Sequence, residues 1–183
     1  MRIISGNHKG RRIVAPKRLP IRPTTDLAKE SLFNILNNYY DFDELKILDL
    51  FSGSGSISYE FASRGTKDIT SVDIDSSCIN FIQQTSHKLD INIRTIKSNV
   101  FLFLEKNLEQ YDIIFADPPY KLSQEDFEKI PKTIFKNNLL LKSGILIIEH
   151  STDISLELVE SFWYKRKYGS SVFSFFALEQ SDQ

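Results

Sequence analysis

From Lys46 onward the chain alternates short apolar runs with stretches of helical periodicity, and that alternation restricts it to βαβ units building a parallel sheet. The apolar runs place strands near 46–51, 69–74, 91–96, 111–116 and 144–149, with helices between them at about 56–64, 76–88, 99–109 and 123–137. Gly65 suits the end of the first of these helices and Ser123 the start of the last. The segment from Phe162 to Leu178, rich in aromatic and β-branched residues around Tyr168-Gly169-Ser170, reads as a closing antiparallel hairpin. The expected fold is therefore α/β, a mostly parallel Rossmann-like sheet closed by that hairpin. At 183 residues the chain is about the size of one domain, with no internal repeat.

In open sheets of this kind ligands bind beyond the carboxyl ends of the strands, where strand order reverses. The chemistry-bearing residues fall at such ends. The run Tyr111-Asp112-Ile113-Ile114-Phe115-Ala116 stops abruptly at Asp117-Pro118-Pro119-Tyr120. Each proline lacks an N–H, fixes its own φ and disfavours helical geometry in the residue before it, so Asp117 and Pro118 are held extended. A carboxylate, a proline carbonyl without a ladder partner and a flat ring are thus fixed together, which suits a planar amine. Upstream, Ile47-Leu48-Asp49-Leu50-Phe51-Ser52-Gly53-Ser54-Gly55 is a strand running into a glycine turn, and Gly53 and Gly55 allow the backbone to approach a ligand closely. Asp73 ends the second strand, where an acid can accept both hydroxyls of a ribose, while Asp75 suits a helix N-cap. Position 58 is Ser where a dinucleotide fingerprint has its third glycine, so a nucleoside without a pyrophosphate fits better. Asn99 can either meet the amine of an adenine or cap the next helix.

Charge is unevenly spread. The formal net charge is −1, yet residues 1–25 carry Arg2, Lys9, Arg11, Arg12, Lys17, Arg18 and Arg22 and no acid, leaving 16 basic against 24 acidic groups in the remainder. A basic head of this kind can neutralise nucleic-acid phosphates. Gly6-Asn7-His8-Lys9-Gly10 between two short apolar-basic runs reads as the turn of a small β-hairpin, followed by a helix from Thr25 or Asp26 to about Asn38. Residues 1–40 are expected to form this basic, nucleic-acid-contacting appendage and 41–183 the main domain. A single cysteine, Cys78, excludes an internal disulfide framework, and three scattered histidines offer no metal-ligand spacing, so no metal is expected. With no signal peptide or long apolar span, the expectation is a cytoplasmic protein without a membrane partner. No phosphate-binding lysine loop or nucleophile elbow is present, and Glu149 and His150 are read as structural.

Asp49 to Gly55, Asp73, Asn99 and Asp117-Pro118-Pro119-Tyr120 resemble, in order and kind, the motifs of class I S-adenosylmethionine-dependent amino-methyltransferases of nucleic-acid bases. Met1-Arg2-Ile3-Ile4-Ser5-Gly6, Gly10-Arg11-Arg12 and Arg22-Pro23-Thr24-Thr25-Asp26 through Leu36 narrow the resemblance to the RsmD family, guanine-N2 methyltransferases of 16S ribosomal RNA. Ser52 and Ser54 stand where the family usually has Ala and Thr, and Lys29 and Ser31 where it has Arg and Ala. The resemblance implies catalysis by Asp117, Pro118, Pro119 and Tyr120. It implies S-adenosylmethionine held by Asp49, Phe51, Ser52, Gly53, Gly55, Asp73, Ile74, Asn99 and Val100, and RNA contacts from Arg2, Lys9, Arg11, Arg12, Arg22, Thr24, Thr25 and Lys29. The partner it implies is small-subunit ribosomal RNA, free or in a 30S particle, with the enzyme a monomer. Two other readings stay open at this point, an adenine-N6 methyltransferase of DNA or RNA and a non-catalytic RNA-binding assembly factor.

Overall fold

The computed structural model describes residues 1–16, 19 and 25–178. Seven strands form one sheet: β1 (Lys46–Leu50), β2 (Asp68–Asp73), β3 (Arg94–Lys97), β4 (Tyr111–Ala116), β5 (Leu140–Ser151), β6 (Phe162–Tyr168) and β7 (Ser171–Ala177). Five helices accompany them: α1 (Asp26–Leu36), α2 (Ser56–Ser63), α3 (Ser76–Leu89), α4 (Val100–Lys106) and α5 (Gln124–Lys136). The sheet order is β3-β2-β1-β4-β5-β7-β6. Strands β1 to β5 pair in parallel, and β7 is antiparallel to both of its neighbours. Order reverses between β1 and β4, which makes the carboxyl ends of those two strands the topological switch point.

The local signals explain most element ends. Thr25 accepts a hydrogen bond from Ala28 N at the start of α1, Asp75 caps α3, and Ser123 closes a capping box with Asp126 at the start of α5. Arg64 caps the end of α2, and Gly65 follows it at φ +116°. Three elements depart from the sequence expectation. β3 begins at Arg94 rather than 91, α4 stops at Lys106 because Asn107 turns extended, and β5 begins at Leu140, which pairs with Tyr111 across a register shift. The N-terminal hairpin is a tight loop with one antiparallel bridge, Arg2 to Arg12, rather than a pair of strands.

Two apolar layers sandwich the sheet. One joins Ile3 and Ile13 of the hairpin, Leu32 and Phe33 of α1, Phe61 of α2 and Ile82 of α3 to Ile47, Ile113 and Phe115. The other joins Val100 and Leu104 of α4 and Phe127, Ile130 and Ile134 of α5 to Leu48, Ile114, Leu146 and Ile148. Alternate residues of β1 and β4 serve opposite layers, as a strand buried on both faces requires. Among the described residues no helix is long and apolar enough to cross a membrane, and no group of three or more His, Cys, Asp or Glu side chains could hold a metal ion.

Candidate active site

Sheet register brings the motif residues together. Leu50 is aligned with Val72 on one side and with Ala116 on the other, so the next residues, Phe51, Asp73 and Asp117, come side by side at the carboxyl edge of the sheet. Backbone bonds extend the alignment past the ladder, with Ser52 N donating to Val72 O at 3.1 Å and Asp117 N to Leu50 O at 3.4 Å. Above them opens a cavity of about 650 Å³, within the range of roughly 300–1,000 Å³ usual for small-molecule sites. It is bordered by Asp49, Phe51, Ser52, Gly53, Asp73 and Ile74 on one side and by Asp117, Pro118, Pro119 and Tyr120 on the other.

The loop after β1 winds through left-handed conformations at Phe51 (φ 56°), Gly53 (φ 51°) and Gly55 (φ 79°). Asp73 fastens it: Oδ2 accepts Gly53 N at 2.8 Å and Oδ1 accepts Asp75 N at 2.8 Å. Each oxygen of a carboxylate has a second lone pair, so Asp73 can hold the loop and still accept from a ligand. Asp49 lies beneath the loop, almost wholly buried, where Ser58 Oγ donates to its Oδ2 and also meets Ser71 Oγ at 2.7 Å. Burial pushes the Asp49 carboxyl up to about 7, against the pull of the Ser58 hydrogen bonds, and the neighbouring Asp73 charge raises it further.

Several expected contacts sit elsewhere. Gly55 does not border the cavity: a Cβ there would lie 2.9 Å from Tyr59 Cζ and from Ile82 Cγ1, so glycine is demanded by packing at the start of α2 and not by ligand approach. Asn99 spends its Oδ1 on Phe101 N (2.9 Å) and Leu102 N (3.3 Å), capping α4, and Val100 is buried in the core below; neither borders the cavity. His150 is structural, with Nδ1 2.7 Å from Ser151 O and Nε2 2.8 Å from Ser174 Oγ, and burial lowers its pKa. Of the lining residues not anticipated, Ser56, Ile57, Cys78 and Phe115 come from the core ends of α2, α3 and β4. Leu19, between two prolines, carried no sequence signal at all.

The basic hairpin is stitched to α2 and to the loop after β1. Glu60 of α2, fully buried, accepts Ile4 N (2.8 Å), Ser5 N (3.0 Å) and Arg64 Nε (3.0 Å). Asn7 N donates to Ser63 O at 2.7 Å, and Ser54 Oγ of the loop after β1 lies 3.5 Å from Met1 Sδ. Lys9, Arg11 and Arg12 remain exposed, and Arg2 pairs with Asp26 at 3.4 Å. Thr25 is exposed, with its hydroxyl capping α1; Arg22 and Thr24 lie outside the described residues. Lys29 corrects the expectation of an RNA contact. It is 1% exposed, donates to Arg2 O (2.7 Å) and Ser56 Oγ (3.2 Å), and sits 3.7 Å from Glu60 Oε2. Burial lowers its pKa while the Glu60 charge opposes that shift. An ammonium enclosed this way braces the hairpin against α2 and cannot reach a phosphate.

Comparison with known proteins places this geometry among relatives. The family model described as conserved hypothetical protein 95 matches residues 1–177. The chain is 34% identical over 156 residues to ribosomal RNA small subunit methyltransferase D of Buchnera aphidicola, covering 85% of this chain and 78% of the relative. It is 33% identical over 161 residues to the putative rRNA methyltransferase YlbH of Bacillus subtilis, covering 85% of each. A solved structure, the putative methyltransferase yhhF of Escherichia coli, superposes with a TM-score of 0.84 over 96% of both chains at 25% identity.

Proposed function

We propose, from the premise that this chain belongs to the RsmD family, which the conserved hypothetical protein 95 model describes, that it methylates the exocyclic N2 amine of a guanine in small-subunit ribosomal RNA, using S-adenosylmethionine. The observation that carries the proposal is the row formed by Phe51, Asp73 and Asp117 at the switch point, with Asp117-Pro118-Pro119-Tyr120 facing the glycine loop across one cavity.

The residues fit such a cofactor. Asp73 offers its remaining lone pairs to a ribose, Ile74 offers an exposed apolar surface to an adenine, and Asp49 and the loop of Phe51, Ser52 and Gly53 border the rest of the cavity. The chemistry the cofactor supplies is an electrophilic methyl group on a sulfonium. The protein's task is then to make a poor nucleophile available. A guanine amine is planar because its lone pair is delocalised into the ring. Asp117 and the Pro118 carbonyl, each accepting one amine hydrogen, bias the nitrogen towards tetrahedral geometry and aim its lone pair across the cavity. The Asp117 carboxylate also offsets the charge that grows on nitrogen and accepts the departing proton, directly or through water. Tyr120, half-exposed at the rim, provides a ring on which an extruded base stacks.

On the RNA side the exposed Arg2, Lys9, Arg11 and Arg12 supply phosphate contacts beside the cavity. The enzyme acts in the cytoplasm as a monomer, and its substrate is small-subunit ribosomal RNA, free or in a 30S particle. Labelled methyl transfer to unmethylated 30S particles, naked 16S RNA and DNA, followed by nucleoside analysis, tests the reading. N2-methylguanosine in the ribosomal substrates is the expected product; N6-methyladenine, or cofactor binding without transfer to any of the three, would overturn it.

A further inference from the structure

Strand β6 forms one edge of the sheet and ends in Lys165, Arg166, Lys167 and Tyr168 before the turn at Gly169 and Ser170. Its direction matters. β7 is antiparallel to β5 and β6 antiparallel to β7, so β6 runs parallel to β4 and finishes on the same side of the sheet as Asp117. Register gives the height. Arg166 is aligned with Phe173 and so with Glu149, and Lys167 with Val172 and so with His150. Ile148 is aligned with Ala116, so the row of Glu149 meets Asp117 and the row of His150 meets Pro118. Two cations therefore stand level with the catalytic tetrapeptide, three strand spacings or about 14 Å to one side.

Their surroundings leave them available to an anion. Lys165 is neutralised by Glu157 at 2.6 Å, but among the described residues neither Arg166 nor Lys167 is ion-paired, and both are exposed. Arg166 lies over the Tyr164 ring, 4.9 Å from its centroid, and Tyr164 stacks on Phe175 with ring centroids 4.4 Å apart, so the guanidinium rests on a fixed platform. Arg166 and Lys167 point to opposite faces by strand alternation and straddle the free edge. The space beside the turn is open at Gly169, where a Cβ would meet nothing within 4 Å. Cations on an edge strand also discourage edge-to-edge association.

We propose that Arg166 and Lys167 bind the phosphates of the single-stranded ribosomal RNA segment flanking the target base, opposite the N-terminal hairpin, so that the strand is held on both sides of the nucleotide turned into the cavity. This rests on the ribosomal RNA reading of the site. Both cations lie far from the cofactor side, so their loss should weaken the RNA and spare the cofactor.

The test compares R166A/K167A with K67A/K88A, which removes two exposed lysines from the opposite end of the sheet and changes net charge equally. The expected result for R166A/K167A is a KM for unmethylated 30S particles raised several-fold to about tenfold, unchanged S-adenosylmethionine affinity, and a log–log salt slope for binding a 16S RNA transcript shallower by about 1.4. The control should leave all three unaltered. Equal KM values and equal salt slopes for the two variants would overturn the contact. Wild-type protein that binds the transcript but methylates neither RNA nor particle would instead overturn the reading of the site, while the salt slopes would still decide the contact.

Discussion

A carboxyl enclosed beneath a ligand loop is a costly choice for one residue, and Asp49 shows what it entails. It is 2% exposed, its near neighbour Asp73 is also acidic, and Ser58 is its hydroxyl partner. Burial raises its carboxyl to about 7, whereas an aspartate in an unfolded chain titrates near 4. Between those two values the native state keeps a proton that the unfolded state has released, so this group's contribution to stability falls as pH rises across that window. Asp49→Asn keeps the shape and removes the titration. Its stability relative to wild type should therefore climb from pH 4 to pH 7, by at most about 4 kcal/mol, as read from urea midpoints at each pH. Parallel curves would mean that Asp49 titrates like an ordinary aspartate. The same linkage predicts that a positively charged ligand beside Asp49 binds more tightly as pH rises to 7, because it favours the ionised carboxylate.

At the scale of elements, the N-terminal hairpin is held less by its own ladder than by α2. Gly6 is the tightest point of that docking: at φ +81°, a Cβ would fall 1.8 Å from Ser63 O, where Gly10, at φ +79°, faces open space. Both glycines avoid a left-handed strain of about 1–2 kcal/mol. Gly10→Ala should cost about that much, while Gly6→Ala should cost about 3 kcal/mol or more, since the hairpin must move off Glu60 and Ser63 as well. Urea unfolding measures both, and equal losses would show that contact with α2 does not hold the hairpin. The contrast marks what the sequence could disclose. The turn Gly6-Asn7-His8-Lys9-Gly10 and the βα alternation are local patterns and were legible as such; Thr25, Asp75 and Ser123 cap the helices their chemistry suits. The docking was not legible, because nothing local to Glu60 or Lys29 reveals that the fold brings them within 3.7 Å. Asn99 was legible only as a choice: one amide oxygen suits a cap or a ligand equally, and in the fold it caps α4.

For the molecule as a whole, the proposed function divides cofactor binding and catalysis between opposite sides of one cavity, and that division has a thermodynamic signature. A ligand that binds only the native state at about 100 times its Kd adds about 2.7 kcal/mol of stability. For a chain of this size that raises Tm by roughly 5–10 °C. S-adenosylmethionine should produce such a shift in the wild type and in Asp117→Ala, which should lose methyl transfer because the role proposed for Asp117 is towards the amine and not the nucleoside. Asp73→Ala should lose most of the shift at the same ligand concentration. The shift, and not Tm itself, is the quantity to compare. Removing the Asp73 carboxylate also strands Gly53 N and Asp75 N, which lowers the starting Tm whatever the ligand does. Thermal unfolding of the three proteins with and without the cofactor separates these effects. A shift abolished in both variants would mean that Asp117 helps hold the cofactor, and the two sides of the cavity would then act as one binding surface instead of dividing the work between them.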